Sequence, residues 1–194
     1  KRVPDFNLAP ALMTRNPSKL ESRTFDLLIV GGGIMGAGIA WDASTRSLSC
    51  ALVEQGDFAS GTSSKTTKLI HGGIRYLEQL DFALVRHSIQ ERSTLLKLAP
   101  HLIKPLPFLI PVVGRSPRPW PLVWAGLGLY DFLAGKNRIK SHRLLSRAQV
   151  TQEEPILSGV PIVRGALYHD AQMDDARLVI EVLQAADSAG AVVV

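Results

Sequence analysis

An α/β fold built on a parallel sheet is what this sequence predicts, and three observations predict it. A short apolar run over residues 25–30 ends at Gly31-Gly32-Gly33. Small residues at helical spacing follow over 34–43, and a second apolar run, residues 48–54, starts a few residues later. Strand, turn, helix and strand in so short a length open a unit whose two strands lie parallel.

Composition agrees with a folded chain. Of 194 residues, 46% are hydrophobic and 20% charged, enough to build a core and far from a disordered balance. The one cysteine, Cys50, lies in the second apolar run. It permits no disulfide framework, fits a reducing, cytoplasmic setting, and reads as a small buried hydrophobe. The net charge of +5 is spread along the chain and by itself suits an anionic ligand, an anionic membrane surface or nucleic acid equally. No run approaches the roughly 20 apolar residues that span a bilayer, so membrane contact would be from one side. Lys1 is no initiator and the chain stops within the apolar run Ala191 to Val194, so the sequence is expected to be a fragment.

Along the chain, residues 1–23, with Pro4, Pro10 and Pro17, read as an irregular leader. Residues 24–99 hold the strand–turn–helix unit, then a Gly/Ser/Thr/Lys loop over 56–67, then one or two amphipathic helices from Tyr76 to Ala99, ended by Pro100. Seven prolines over 100–121 surround the apolar run Phe108 to Val113, as around an edge strand, and a domain crossing is expected near residue 100. Residues 122–134 form an apolar, aromatic helix. Asp174 caps a last helix running to about Ala189, stopped by Gly190, and residues 171–194 are read as a return to the first domain.

Gly31, Gly33 and Gly36 have the G-x-G-x-x-G spacing. The first permits a tight turn, the second brings backbone to a pyrophosphate, and the third lets helix and strand approach closely. Glu54 follows about 20 residues later at the end of the second strand, where a carboxylate accepts hydrogen bonds from ribose hydroxyls and repels a 2′-phosphate. Together they predict a dinucleotide site, with the helix N-terminus facing the diphosphate. The fingerprint serves FAD and NAD alike, but the donor-rich loop Gly61 to Lys68 suits a flavin nucleotide held along its whole length, so FAD is the expected cofactor.

From Thr62 to Glu78 the chain reads Thr-Ser-Ser-Lys-Thr-Thr-Lys-Leu-Ile-His-Gly-Gly-Ile-Arg-Tyr-Leu-Glu. This run resembles the FAD-dependent glycerol-3-phosphate dehydrogenases. So do Leu84-Val85-Arg86, Glu91-Arg92, Leu98-Ala99-Pro100-His101, Gly128-Leu129-Tyr130-Asp131 and Asp174-Asp175-Ala176-Arg177-Leu178, in order, over about residues 24–194. The resemblance implies the FAD/NAD(P)-binding Rossmann-type ββα fold of the D-amino-acid-oxidase-like flavoproteins, with part of an α+β substrate domain over 100–170. It implies oxidation of sn-glycerol 3-phosphate to dihydroxyacetone phosphate by hydride transfer to FAD, with electrons passed to a quinone. By the same resemblance Thr62, Ser63, Ser64, Lys68 and Leu69 contact the flavin or its phosphates, Arg75 and Tyr76 lie near the substrate, and His71 joins Arg75 as a catalytic candidate. No metal site and no nucleic-acid partner are expected, and a homodimer is left open. The family's remaining phosphate-binding basic residues and the closing half of its FAD site fall beyond residue 194, and Ser47 stands where the family has glycine. The alternatives are another oxidoreductase of the same superfamily or a non-catalytic fragment.

The helix over 122–134 has two readings. Trp120, Trp124, Leu127, Leu129, Tyr130, Phe132 and Leu133, rimmed by Arg115, Arg118, Lys136, Arg138 and Lys140, have the make-up of a segment lying on the inner face of the cell membrane. Asp131 and the glycine spacing equally suit a buried helix of the substrate domain.

Overall fold

The structure, a computed structural model, describes residues 13, 15–21, 23–114 and 116–194. Most of the leader expected over 1–23, and Arg115 of the basic rim, lie outside the described residues. A single short helical turn, α1 (Ser18–Glu21), stands within that leader. By internal contacts the chain divides into two compact units, residues 1–68 with 173–194, and residues 69–172.

The first unit carries the parallel sheet. Strands β1 (Leu27–Val30) and β2 (Cys50–Val53) are joined by helix α2 (Ile34–Thr45) and pair in register from Leu27 opposite Cys50 to Val30 opposite Val53. The last strand of the chain, numbered β7 (Val192–Val193), adds parallel to β2 and gives the order β1-β2-β7. It is preceded by helix α6 (Asp175–Ser188). One sheet face meets both helices. There Ile29, Cys50, Leu52 and Val193 enclose Ala37, Ala40 and Ala43 of α2 with Val179, Leu183 and Ala186 of α6. The small residues of α2 follow from this, since a helix crossed closely by another and laid on a sheet has no room for larger side chains. Leu28 and Val30, on the opposite face, are exposed. Cys50 is fully buried against Ser44, as expected of a small hydrophobe.

The second unit is built on one long strand, β6 (Ile162–Met173), whose last residue already belongs to the first unit. Strands β3 (Leu69–Ile70), β4 (Ile103–Val113) and β5 (Arg143–Ser146) pair with it, the first and last antiparallel. Pro105, Pro107 and Pro111 all lie in β4, which ends the sheet order, where a missing amide donor is tolerated. The helices are α3 (Phe82–Leu98), α4 (Trp120–Ala134) and the short α5 (Arg147–Glu153), which opens on a capping box between Ser146 and Gln149. Val85 and Ile89 of α3 meet Leu127, Tyr130 and Ala134 of α4 around Ala166 and Tyr168 of β6.

Two boundaries differ from those the sequence predicts. The amphipathic pattern runs back to Tyr76, but the α-helix begins at Phe82, where the Asp81 carboxylate accepts the Leu84 amide. Residues 74–79 are a 3₁₀ turn closed by Leu80 at φ +59°, so Leu77 and Leu80 lie outside α3. The changeover expected near residue 100 falls at residue 68 in the packing, because α3 buries its apolar face on α4 and β6.

Candidate functional site

The first unit concentrates the dinucleotide residues at the C-terminal ends of β1 and β2. Gly31 sits at φ +111°, a conformation that L side chains rarely adopt, and its amide donates to the Val53 carbonyl at 2.8 Å. Gly36 is glycine for want of space, since a Cβ there would stand 1.9 Å from the Gly31 carbonyl oxygen. A Cβ on Gly33 would lie 3.1 Å from the Ser63 hydroxyl. That hydroxyl accepts the amide of Ile34 at 3.0 Å, at the very start of α2, whose N-cap Gly33 has no side chain to cap it. The structure thus brings Ser63 onto the helix end where an anion is favoured, and the bare glycine backbone and hydroxyl there fit a nucleotide pyrophosphate.

Glu54 stands beside the same turn. Its Oε2 accepts the Gly32 amide and its Oε1 the Gly56 amide, each at 2.8 Å. The Gly32 amide first, then that of Gly56, hold its carboxyl below the usual glutamate range. Each oxygen keeps a lone pair for a ribose hydroxyl. Gly32, outside the fingerprint spacing, is a residue that sequence reasoning missed. Besides anchoring Glu54 it has no room for a Cβ, which would meet the Phe58 ring at 2.5 Å. Nothing in spacing alone signals it, because the motif leaves that position open.

The loop residues are placed unequally. Thr62, Ser63 and Ser64 form one 3₁₀ turn, with the Thr62 side exposed and the Ser64 hydroxyl turned onto the Gly61 carbonyl. Lys68 sits in the left-handed region at φ +57°, exposed, with its Nζ 3.9 Å from Asp175. Asp175 also accepts the Thr66 hydroxyl at 2.6 Å, and that bond, the largest influence, holds its carboxyl low. Thr66 and Asp175 are not among the expected site residues, although both lie in family-like runs.

The remaining expected residues belong to the second unit. Leu69 opens β3 opposite Gln172 and is half-buried. His71 is exposed, with its ring 6.4 Å from that of Tyr76, and Arg75 is exposed on the 3₁₀ turn. Tyr76 is half-buried against the α3/α4 core. His71, Arg75 and Tyr76 thus share one segment hung on the Gly72-Gly73 turn, with Gly73 at φ +74°. Ser47 is held at φ +64°, a left-handed conformation that costs this non-glycine residue some strain.

Comparison with known proteins places the chain in a family. The family model described as FAD dependent oxidoreductase matches residues 26–194. This chain belongs to the FAD dependent oxidoreductase family. Within that family it is 45% identical over 193 residues to glycerol-3-phosphate dehydrogenase 2 of Mycobacterium tuberculosis (strain ATCC 25618 / H37Rv), a match covering 98% of this chain and 32% of that protein. To the human mitochondrial glycerol-3-phosphate dehydrogenase it is 42% identical over 197 residues, covering 98% of this chain and 26% of that one. The chain therefore spans about a third or less of the length of the curated relatives it matches. Among solved structures, the glycerol-3-phosphate dehydrogenase from Bacillus halodurans complexed with FAD superposes with a TM-score of 0.65 at 32% identity, over 91% of this chain and 27% of that one. The L-proline dehydrogenase from P. horikoshii, at TM-score 0.63 and 17% identity over 89% of this chain and 44% of that one, shares the fold.

Proposed function

We propose that this chain of the FAD dependent oxidoreductase family supplies the nucleotide-binding turn and part of the substrate side of an enzyme that oxidises sn-glycerol 3-phosphate to dihydroxyacetone phosphate. The observation that carries the cofactor half is the set of contacts around Gly31–Gly36, with the Ser63 hydroxyl on the first amide of α2 and Glu54 clamped by the Gly32 and Gly56 amides. The substrate half is supported by the relatives' names and by the Thr62 to Glu78 run.

FAD, when bound, supplies the hydride acceptor. Gly31, Gly33, Gly36 and the start of α2 hold its pyrophosphate, while the Glu54 carboxylate accepts the adenosine ribose hydroxyls. Thr62, Ser63, Ser64, Lys68 and Leu69 line the remaining length of the nucleotide. Arg75 is a permanent cation, able to bind the substrate phosphate or to stabilise a developing alkoxide, and Tyr76 offers a hydroxyl for hydrogen bonding. His71 is the group in that segment whose ring nitrogen can accept the alcohol proton. Anaerobic mixing of the protein, extended to its relatives' length, with glycerol 3-phosphate tests this. The yellow flavin absorbance bleaches if the reading holds. Bleaching by amino acids or amines instead would assign another oxidoreductase reaction of the family, and a colourless 194-residue chain beside a yellow longer one would mark this chain as insufficient alone.

A quinone is the electron acceptor in this proposal, reached at the inner face of the cell membrane, with a homodimer open. Among the described residues no helix is long and apolar enough to cross a membrane. The peripheral reading is supported by α4, which buries Leu127, Tyr130 and Ala134 but leaves Leu122, Trp124, Leu129 and Phe132 exposed. Flotation with anionic liposomes checks it. Trp124→Ser with Phe132→Ser should abolish co-flotation, and a wild-type protein that stays with the protein fraction refutes it.

A further inference from the structure

A buried ionic group lies behind the segment that carries His71, Arg75 and Tyr76. Arg92 on α3 is 1% exposed and Asp170 on β6 is fully buried. The Arg92 guanidinium donates through Nη1 to Asp170 Oδ1 at 2.5 Å and to the Tyr130 hydroxyl at 2.8 Å. The same Oδ1 accepts the backbone amide of Gly72 at 2.9 Å. Gly72 is driven onto this group so closely that a Cβ would stand 1.9 Å from the Tyr130 hydroxyl oxygen and 2.8 Å from Ile89. Gly73 then turns the chain in the left-handed conformation into the 3₁₀ turn bearing Arg75 and Tyr76. Among the described residues, Arg92 Nε and Asp170 Oδ2 have no hydrogen-bond partner.

A buried ion pair is a poor way to gain stability, because desolvation offsets most of the attraction and an apolar pair of like volume often does as well. This one also leaves two polar atoms unsatisfied, a further penalty. What it provides that an apolar pair could not is an acceptor fixed in place for one amide, that of Gly72. That amide is the residue after His71 and three before Arg75. Tyr130 closes the third side and leaves the turn one position to occupy.

We propose that Arg92, Asp170 and Tyr130 are positioning residues, holding the Gly72-Gly73 turn so that His71, Arg75 and Tyr76 meet the substrate at fixed spacing. The inference rests on the function proposed above, and its test separates the two. In flavin-bound protein of the relatives' full length, two double variants remove the buried charges together. R92M with D170N keeps an acceptor for the Gly72 amide, whereas R92M with D170V does not. Both are read by thermal melting, flavin absorbance, KM and kcat for glycerol 3-phosphate, and amide hydrogen exchange of peptides spanning residues 69–80.

The expected result is that both variants fold and keep flavin, with R92M/D170V melting lower than R92M/D170N because the buried Gly72 amide loses its acceptor. R92M/D170V then raises KM about tenfold or more and speeds exchange in 69–80, whereas R92M/D170N changes neither by more than about threefold. Wild-type KM and exchange in R92M/D170V would overturn the proposal and leave the group as core filling. If the double variants do not fold, Tyr130→Phe decides by the same two readouts, with faster exchange and a raised KM expected and no change in either overturning it. If glycerol 3-phosphate fails to bleach even the wild-type flavin, the functional reading falls, while the exchange data still report whether Asp170 holds Gly72.

Discussion

Each unit hangs a glycine amide on a carboxylate, and the two arrangements differ in almost everything else. In the first, Glu54 is partly exposed, accepts a backbone amide through each oxygen, and has its carboxyl held low by them. In the second, Asp170 is sealed from solvent, and burial pushes its carboxyl up against the opposing pull of Arg92 and the Gly72 amide. A carboxylate fixed by amides in the open retains lone pairs for a ligand. One buried with a guanidinium has no route to a ligand, so its fixed geometry acts on the backbone that it holds. Similar hydrogen bonds therefore suit the proposed recognition in one unit and the proposed placement in the other.

That contrast can be broken most severely at Arg92. Arg92→Ala leaves the buried Asp170 uncompensated and should destabilise the protein by about 3–5 kcal/mol, measured by chemical denaturation. A loss under about 1 kcal/mol would mean that the group is more hydrated than its burial indicates. Next in size is Gly36→Ala in the phosphate turn. Its Cβ would meet a backbone carbonyl, which cannot swing aside, so about 2–3 kcal/mol of stability and most flavin retention should be lost. Retention of flavin with wild-type stability would show that the turn relaxes freely.

Smaller effects sharpen the comparison. Ser47→Gly relieves a left-handed residue outside both groups and should raise stability by roughly 0.5–1 kcal/mol, visible as an upward Tm shift with no change in flavin content. Glu54→Gln tests the exposed carboxylate by pH. Since the folded carboxyl titrates below the unfolded one, its contribution is present above about pH 4 and is lost as pH falls through its lowered folded value. The wild type should therefore lose more stability than Glu54→Gln between about pH 5 and pH 3, and parallel curves would remove the carboxylate from the account. The same variant should bind FAD several-fold more weakly by fluorescence titration, with a melting temperature close to the wild type.

The turn residues were legible because each is local. Gly31, Gly33 and Gly36 lie within one strand–helix junction, Glu54 directly follows the neighbouring strand, and Asp174 announces α6 by accepting the Arg177 amide three residues on. The start of α3 was misread for the converse reason. Leu77 and Leu80 continue the helical spacing, but Asp81 offers a better cap and Leu80 turns left-handed before it. The Ser63 contact with Ile34 spans 29 residues, and no pattern marks which of the three hydroxyls over 62–64 reaches α2.

The Arg92, Asp170 and Gly72 group spans 78 and 98 residues between its partners. Arg92 and Tyr130 stand in family-like runs, yet a sequence assigns an arginine on an amphipathic helix to solvent. Short-range sterics and periodicity therefore dictated the parallel βαβ unit, its glycine turn and the capped last helix. Only the meeting of α3, α4 and β6 decided which arginine is buried and which amide its partner holds, because burial depends on neighbours that the local chain does not contain.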